Sequence, residues 1–428
     1  MLIMINCKIL ESIIYKRIYN HVKIVLSPYQ HGFVKKRSTT TNLMNFVVDI
    51  TDSFKNKSQL DVVYTDFAKA FDRVHHDVLL TKLNYYCFSP KFLYFMSSYL
   101  FNRSQYICYK DVQSDVYTIN SSVPQGSNLG PLLFLLLIND LPNVIKHSTV
   151  SMFADDVKLY KNVNNLEDCL YLQQDIDNLY KWSCDNKLEL NVNKCYVINF
   201  TLKCKKLMFC YTLDENELGK VTQVSDLGVT FDSKLSFQLN INNLSKKSLK
   251  RLGFMIRNCK KINNLKTIKN LYSCLVRSIL EYNCVIWDPF YKYQKQTIEK
   301  VQIKFLKYFH FKNLHTYPSS STYNTLLETY NLMTLEQRRT TACLLELHKL
   351  MNNQVDNPYV VSRVNFNCNL GTTRSQKLFY TDTPRTDTCL KSSVYNMLNK
   401  FNQSTNLFDL FYDKKQTIKN VYNVNYSL

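Results

Sequence analysis

The stretch SMFADDVKLY, residues 151–160, most restricts what this chain can fold into. It sets two acids side by side, Asp155 and Asp156, inside an apolar pattern that is typical of a buried β-hairpin. Burying one unpaired carboxylate costs free energy, and two neighbouring carboxylates repel each other. The pair therefore either lies at a solvated turn or is compensated by strong positive charge.

Charge and composition narrow the class of protein. The 428 residues are 45% hydrophobic and 13% aromatic, which predicts two or three folded domains rather than a disordered chain. Lysine and arginine number 54 against 34 acids, giving a net charge of +20. This excess favours a polyanionic partner, nucleic acid first and an anionic membrane surface second. A general drift of composition towards lysine is the alternative.

The spacing of the cysteines and the length of the apolar runs indicate the cellular compartment of the protein. The 14 cysteines form no CxxC pair, which indicates reduced thiols rather than a zinc site. The first 22 residues place apolar side chains at helical spacing without a cleavage site, so they predict an amphipathic helix and not a signal peptide. The longest apolar run, 131–138, is too short to cross a bilayer. We expect an intracellular protein, in the nucleus, the cytoplasm or both, with no membrane partner.

Strand and helix patterns alternate along the chain, which predicts an α+β fold with an antiparallel core sheet. Hairpin patterns occur at 105–120 and around the paired acids. The remaining elements are strands at 60–66, 195–200 and 226–232, and helices at 1–24, 42–55, 75–86, 131–140 and 165–186.

Three segments place acids or polar turns where packing alone would not. YTDFAKAFD (64–72) ends a strand at Asp66, SVPQGSNLGP (122–131) is a turn before the most apolar helix, and the third segment is FADD. Carboxylates are the ligands that Mg²⁺ prefers, and two ions ~3.5–4 Å apart serve in-line phosphoryl transfer. A lone pair of acids also fits a solvated turn; the three segments in this order are far more specific.

These motifs resemble the reverse transcriptase of non-LTR (LINE-type, jockey-like) retrotransposons. The resemblance extends to the palm segments LELNVNKCYVINF and DLGVTFDSKLSF, and to the fingers segments ILESII and LSPYQHGFVKKRSTTTNL. It implies a polymerase right hand. We expect partial fingers at 1–60, a palm at 61–232, a basic helical thumb at 233–312 and a mainly helical C-terminal region of unclear role at 313–428. Because the chain begins inside the first fingers segment, we expect an N-terminally truncated copy.

The resemblance implies a role for each catalytic position. Asp66 and Asp155 would ligate two Mg²⁺ ions, with Mn²⁺ as the alternative metal. The backbone carbonyl of Phe67 would be a further ligand, and Asp156 would assist. Lys194 would be a candidate general acid for pyrophosphate, or else an ordinary surface lysine.

Nucleotide contacts are implied in the same way. Phe71 matches the gate that packs against C2′ of the incoming nucleotide, and a core phenylalanine is the alternative. Among the fingers-loop cations at 35–37, Arg37 is favoured to hold the triphosphate. The remaining implied positions are Pro124, Gln125 and Gly126 for nucleotide and template, and Leu227 and Gly228 for the primer grip.

A basic stretch follows the palm. Residues 233–280 contain eleven lysines and arginines and no acid. Such a helical face would track the phosphates of an RNA–DNA hybrid without reading sequence, although a plainly solvated face remains the alternative. The candidate phosphate contacts are Lys246, Lys247, Lys250, Arg251 and Arg257.

Two positions depart from the family pattern. Ser122 stands where the family usually has glycine, and Asn128 stands where an apolar residue is common. Neither removes a catalytic group.

The expected function is RNA-directed DNA synthesis. A DNA primer 3′-hydroxyl would be extended with dNTPs on an RNA template, in an unspecified oligomeric state. A catalytically inactive nucleic-acid-binding remnant is the alternative, and a group-II-intron-like maturase is a more distant one.

Overall fold

The computed structural model describes residues 5–316, 323–367, 377–381, 390, 392–404 and 407–420. They form two compact units. The first unit comprises residues up to Ser38 together with Ser58–Val221, and the second comprises Thr39–Lys57 together with Thr222 onward. The segment 39–57 thus joins the second unit although the chain on both sides of it belongs to the first.

A five-stranded sheet forms the centre of the first unit. Its strands are β1 Gln59–Thr65, β6 Thr149–Phe153, β7 Asp156–Val163, β8 Tyr196–Phe200 and β11 Gly219–Val221. They lie side by side in the order β11-β8-β1-β7-β6. The middle strand, β1, is buried along its whole length, as expected for QLDVVYT with β-branched and aromatic residues. Three of the four pairings are antiparallel, and β11 runs parallel to β8.

Helices pack on this sheet and enclose the core. The helix over 130–138 is buried on nearly all sides, which suits the run GPLLFLLLI. The Asn165 side chain caps the longest helix of the first unit, accepting from the backbone N–H of Asp168 at 2.8 Å. The helices are α1 Ile5–Val22, α3 His76–Tyr85, α4 Pro90–Leu100, α5 Gly130–Ile138 and α6 Leu166–Asp185.

Short strands extend from the first unit as further small sheets. The segment predicted as a hairpin at 105–120 forms two successive ladders, β2 with β5 and β3 with β4. The bounds are β2 Arg103–Gln105, β3 Cys108–Tyr109, β4 Val112–Gln113, β5 Tyr117–Ile119, β9 Thr212–Leu213 and β10 Asn216–Glu217.

In its described residues, the second unit is mainly helical and contains one β-hairpin. The ring of Tyr272 stacks on that of Phe305 at 3.8 Å between centroids, and the buried carboxylate of Asp288 pairs with Arg339 and Lys400. A π-helical turn at Ser273–Arg277 joins two of the helices. The strands are β12 Gln223–Asp226 and β13 Val229–Asp232. The helices are α2 Thr39–Lys55, α7 Gln238–Asn258, α8 Leu265–Tyr272, α9 Ser278–Glu281, α10 Cys284–Trp287, α11 Lys292–Leu314, α12 Tyr323–Thr329, α13 Leu335–Met351, α14 Pro358–Val361, α15 Ser393–Gln403 and α16 Lys415–Asn420.

The predicted α+β class with an antiparallel core sheet is confirmed, with three local differences. The sheet gains a parallel edge strand, β11, which the sequence pattern did not indicate. DLGVTFD was predicted as one strand, but the chain turns at 227–228 and forms a hairpin. Helix α4 was not predicted. Within the described parts of the chain, no helix is both long enough and apolar enough to span a membrane.

Candidate active site

The first acid of the site follows the central strand directly. Thr65, the last residue of β1, pairs with Val157 of β7, so Asp66 comes level with the start of the neighbouring strand. The backbone holds this position, because the N–H of Asn191 donates to the carbonyl of Asp66 at 2.7 Å. The Asp66 side chain is 35% exposed, which keeps it accessible at the sheet edge.

The second acid lies in the turn between β6 and β7. Phe153 pairs with Asp156, so Ala154 and Asp155 form a two-residue turn. Burial raises the pKa of the Asp155 carboxyl, and the nearby charge of Asp66 raises it further, although a backbone hydrogen bond opposes both effects. The structure therefore places the two acids close enough for the charge of Asp66 to act on the carboxyl of Asp155.

Asp156 is placed differently from its neighbour. It is exposed and begins β7, whereas Asp155 is half-buried in the turn. Among the residues that the structure describes, no three His, Cys, Asp or Glu side chains come together as a metal-binding group. Asp66 and Asp155 are the two carboxylates that could hold a metal ion here. This suits Mg²⁺, which takes its remaining ligands from water and phosphate oxygens.

Lys194 lies at the same edge as Asp66. Its ammonium is 3.2 Å from the Asp66 carboxylate, and its side chain is 65% exposed. The lysine reaches this position because a 3₁₀ turn, Val192–Lys194, follows the segment that pairs with Asp66. The sequence could not show this ion pair, and its role in proton transfer stays a prediction.

The aromatic ring of Phe71 packs among other aromatic rings and is only partly buried. It packs on Phe134 at 4.6 Å between centroids and meets Phe33 edge-on at 6.4 Å, yet the side chain remains half-buried rather than fully enclosed. One face contributes to the core, and its gate role stays a prediction.

The PQG segment forms a turn with an exposed tip. Pro124 is buried, while Gln125 and Gly126 are exposed. Gly126 has φ +80°, a conformation that favours glycine. The Gln125 side-chain amide donates to Asp72 at 2.8 Å. Asp72, which the sequence analysis did not single out, therefore orients Gln125.

Both departures from the family pattern have structural consequences. Ser122 adopts φ +94°, in the region that favours the glycine it replaces. Asn128 connects the PQG turn to α1: its side-chain amide donates to the carbonyl of Lys8 at 3.0 Å, and its backbone N–H donates to Glu11 at 2.8 Å. An apolar residue could not make the first of these bonds.

Arg37 lies within its own loop. Its Nη1 donates to the carbonyl oxygens of Ser27, Pro28 and Gln30 at 3.1, 3.0 and 2.8 Å. These bonds fix the loop that passes beside the hairpin of Asp155. A contact between Arg37 and a triphosphate stays a prediction.

Two predicted regions belong to the second unit. Leu227 (φ +44°) and Gly228 (φ +80°) form the turn between β12 and β13, as expected for a type I′ hairpin. The hydroxyl of Tyr282 donates to the carbonyl of Leu227 at 3.1 Å, and a Cβ on Gly228 would lie 2.9 Å from the Tyr282 ring. Tyr282 is thus a partner of the turn that sequence patterns did not reveal.

The predicted phosphate-binding cations lie on one helix of the second unit. Helix α7 buries Ile241, Leu252 and Met255. Every one of the five predicted side chains is exposed on this helix: Lys246, Lys247, Lys250, Arg251 and Arg257.

The sheet with two acids at its edge, one after a buried strand and one in a hairpin turn, is the arrangement of a polymerase palm. A family model described as reverse transcriptase (RNA-dependent DNA polymerase) matches residues 1–256. The match covers more than half of the chain, so the chain belongs to the reverse transcriptase family, which has the right-hand polymerase fold.

Relatives from mobile elements confirm the predicted jockey-like, LINE-type relationship. The probable RNA-directed DNA polymerase from transposon BS of Drosophila melanogaster is 27% identical over 289 residues, 65% of this chain and 32% of the relative. The RNA-directed DNA polymerase from mobile element jockey of Drosophila funebris is 25% identical over 315 residues, 70% of this chain and 34% of the relative. The chain spans about a third of the length of these relatives.

Solved structures of telomerase also align with the chain. Telomerase from Candida albicans, in complex with a TWJ fragment of telomeric RNA, is 12% identical, with a TM-score of 0.33 over 78% of this chain and 54% of that chain.

Proposed function

We propose that this chain is an RNA-directed DNA polymerase that extends a primer 3′-hydroxyl with dNTPs on an RNA template. The observation that carries the proposal is the pairing of Asp66 and Asp155. Asp66 follows one strand and Asp155 lies in the turn between two others, and the charge of Asp66 raises the pKa of Asp155. Two acids held in mutual repulsion at an accessible sheet edge are what a pair of divalent cations would stabilise.

The donor set fits two Mg²⁺ ions, with Mn²⁺ as an alternative. When bound, such ions activate the attacking hydroxyl and neutralise the leaving pyrophosphate. Asp66 and Asp155 would hold them, together with the backbone carbonyl of Phe67, and Asp156 would assist from the exposed side. Lys194, 3.2 Å from Asp66, would give a proton to the departing pyrophosphate.

The incoming nucleotide would lie beside the same edge. Gln125 would present its amide to the nucleotide and template, oriented by its hydrogen bond to Asp72. Pro124 and Gly126 would shape that turn, and the half-buried Phe71 ring would exclude a 2′-hydroxyl. Arg37 would bind the triphosphate after exchanging some of its carbonyl partners.

Nucleic acid would bind chiefly through charge. We assign 1–60 to the fingers, 61–232 to the palm, 233–312 to the thumb and 313–428 to a C-terminal region. The exposed cations of α7 would contact phosphates of an RNA–DNA hybrid, and Leu227 and Gly228 would form the primer grip. Template, primer and dNTPs are the partners this function requires.

The direct test uses the full chain with a DNA primer annealed to an RNA template, dNTPs and Mg²⁺. The proposal expects extension that stops when EDTA removes the metal and returns when Mg²⁺ is restored. Binding of the primer–template without any incorporation, under Mg²⁺ and Mn²⁺ alike, would establish the inactive remnant instead.

A further inference from the structure

The residue before Asp155 has an unusual backbone. Ala154 adopts φ +55°, which places it in the left-handed region, and it is buried. Residues with a Cβ pay roughly 1 kcal/mol or more for this conformation, so surrounding contacts must hold it. Because Ala154 and Asp155 share one peptide plane, the conformation of Ala154 sets the direction in which the Asp155 side chain leaves the turn.

One side chain binds both polar backbone groups of Ala154. Gln30 is 2% exposed. Its Oε1 accepts from the N–H of Ala154 at 2.8 Å, and its Nε2 donates to the carbonyl of Ala154 at 3.3 Å. The N–H lies in the peptide plane before Ala154 and the carbonyl lies in the plane after it. A single amide therefore fixes the orientations of both planes, and with them φ and ψ of Ala154.

The loop that carries Gln30 is itself held against the hairpin. The N–H of His31 donates to the carbonyl of Met152 at 2.9 Å, and the N–H of Met152 donates to Tyr29 at 3.1 Å. A Cβ on Gly32 would lie 2.3 Å from the Ala154 nitrogen, so only glycine permits this approach. Arg37 secures the other side of the loop through its three carbonyl partners.

We infer that Gln30 is a positioning residue for the metal-binding carboxylate of Asp155. Its amide holds the left-handed backbone of Ala154 and so fixes where the Asp155 carboxylate stands relative to Asp66. The inference rests on the proposed function, because it assigns to the fingers loop the geometry of the proposed metal site.

The test compares Gln30→Met with the parent chain. Methionine has nearly the same volume as glutamine and removes every hydrogen bond to Ala154. Gln174→Met, on the exposed face of α6, makes the same chemical change away from the hairpin and is the matched control. Hydrogen exchange of peptides covering 150–158 reports whether Gln30 holds the backbone of Ala154. A titration with Mn²⁺ followed by electron paramagnetic resonance measures metal binding by the carboxylates.

For Gln30→Met we expect exchange at 154–155 to accelerate about tenfold or more, and the Kd for Mn²⁺ to rise about tenfold. Adding Ala154→Gly should restore part of the Mn²⁺ affinity, because glycine adopts the left-handed backbone without help. A merely structural role of Gln30 would lower the melting temperature without this rescue. Exchange and Mn²⁺ binding equal to those of Gln174→Met would overturn the inference.

Two outcomes separate this inference from the proposed function. A parent chain that neither binds Mn²⁺ nor extends a primer overturns the proposed function and the metal-related part of the inference, while the exchange data still decide whether Gln30 holds Ala154. If Gln30→Met does not fold, Ala154→Gly in the parent chain still tests whether Ala154 is restrained in the left-handed conformation. A restrained left-handed alanine predicts a higher melting temperature for that variant, and no increase would contradict the restraint.

Discussion

Asp66 and Asp155 act on each other electrostatically although one follows β1 and the other lies in the turn between β6 and β7. The sheet register produces this relationship, since the pairing of Thr65 with Val157 brings the end of one strand to the start of the next. Holding two like charges together lowers the free energy of unfolding, and a cation that binds to both carboxylates would raise it again.

Replacing Ser122 with glycine should stabilise the protein. Ser122 has φ +94°, and hydrogen bonds from its N–H to Val74 and from His76 to its carbonyl hold the backbone there. Glycine removes the steric cost, so we expect Ser122→Gly to raise the free energy of unfolding by about 1 kcal/mol in a urea titration.

The control variant for Ser122→Gly should change the free energy of unfolding in the opposite direction. Ser98 is exposed in the last turn of α4, where glycine only adds flexibility. Ser98→Gly should lower the free energy of unfolding by about 0.5–1 kcal/mol. A loss of stability in Ser122→Gly as well would show that the left-handed backbone at 122 is not strained.

His31 should make the protein sensitive to acid. Burial, together with the smaller effects of the charges of Arg37 and Lys158, lowers the pKa of His31 to about 3. The unfolded chain therefore binds a proton below pH 6.5 that the folded chain does not take up until about pH 3. Stability is fully present above pH 6.5 and falls as the pH drops, by about 2 kcal/mol between pH 6.5 and 5.

His31→Gln should flatten that slope, because glutamine stays neutral at every pH. The measurement is the free energy of unfolding from chemical denaturation at pH 7, 6 and 5. His147→Gln, at an exposed histidine, should keep the slope of the parent chain. Parallel curves for the His31 variant and the parent would contradict the buried, neutral imidazole.

Asp72 should affect nucleotide binding through Gln125. Asp72→Ala removes the acceptor at 2.8 Å and lets the Gln125 amide rotate. We expect the KM for dNTPs to rise about fivefold to tenfold, with a smaller change in kcat, in steady-state primer extension. Asp185→Ala, at the exposed end of α6, is the control. An unchanged KM in Asp72→Ala would remove the orienting role.

The cations of α7 should set the salt dependence of nucleic-acid binding. Replacing Lys246, Lys247 and Lys250 with glutamine should reduce the slope of log K against log salt by about 0.7–0.9 for each lysine that neutralises a phosphate. Lys203, Lys205 and Lys206 are exposed in the first unit, and their replacement removes the same charge. Fluorescence anisotropy over a salt series measures both triple variants, and equal slopes would identify α7 as a solvated face.

The sequence predicted those parts of the site that local patterns determine. The strand ending at Asp66, the hairpin around Asp155 and the turn at Gln125 each follow from residues within about ten positions. The family resemblance also marked Ser122 as a departure from the usual glycine, although only the structure shows its positive φ.

Hydrogen bonds between distant segments could not be predicted in this way. Gln30 and Ala154 are 124 positions apart, and nothing in the local pattern around either residue indicates that they pair. The parallel strand β11 was missed for a related reason: three residues, Gly219–Val221, are too few to show a period, and pairing with β8 alone defines them as a strand.

The central claim is that Asp66 and Asp155 form one metal site, and single-turnover primer extension tests it most directly. The parent chain, Asp66→Asn, Asp155→Asn and the double variant are compared with Mg²⁺ on an RNA template, with Asp185→Asn as the control. Each single variant should lose about a thousandfold or more in rate, and the double variant should lose little further, because the two acids act as a unit. Extension by Asp155→Asn at the rate of the parent chain would contradict the account.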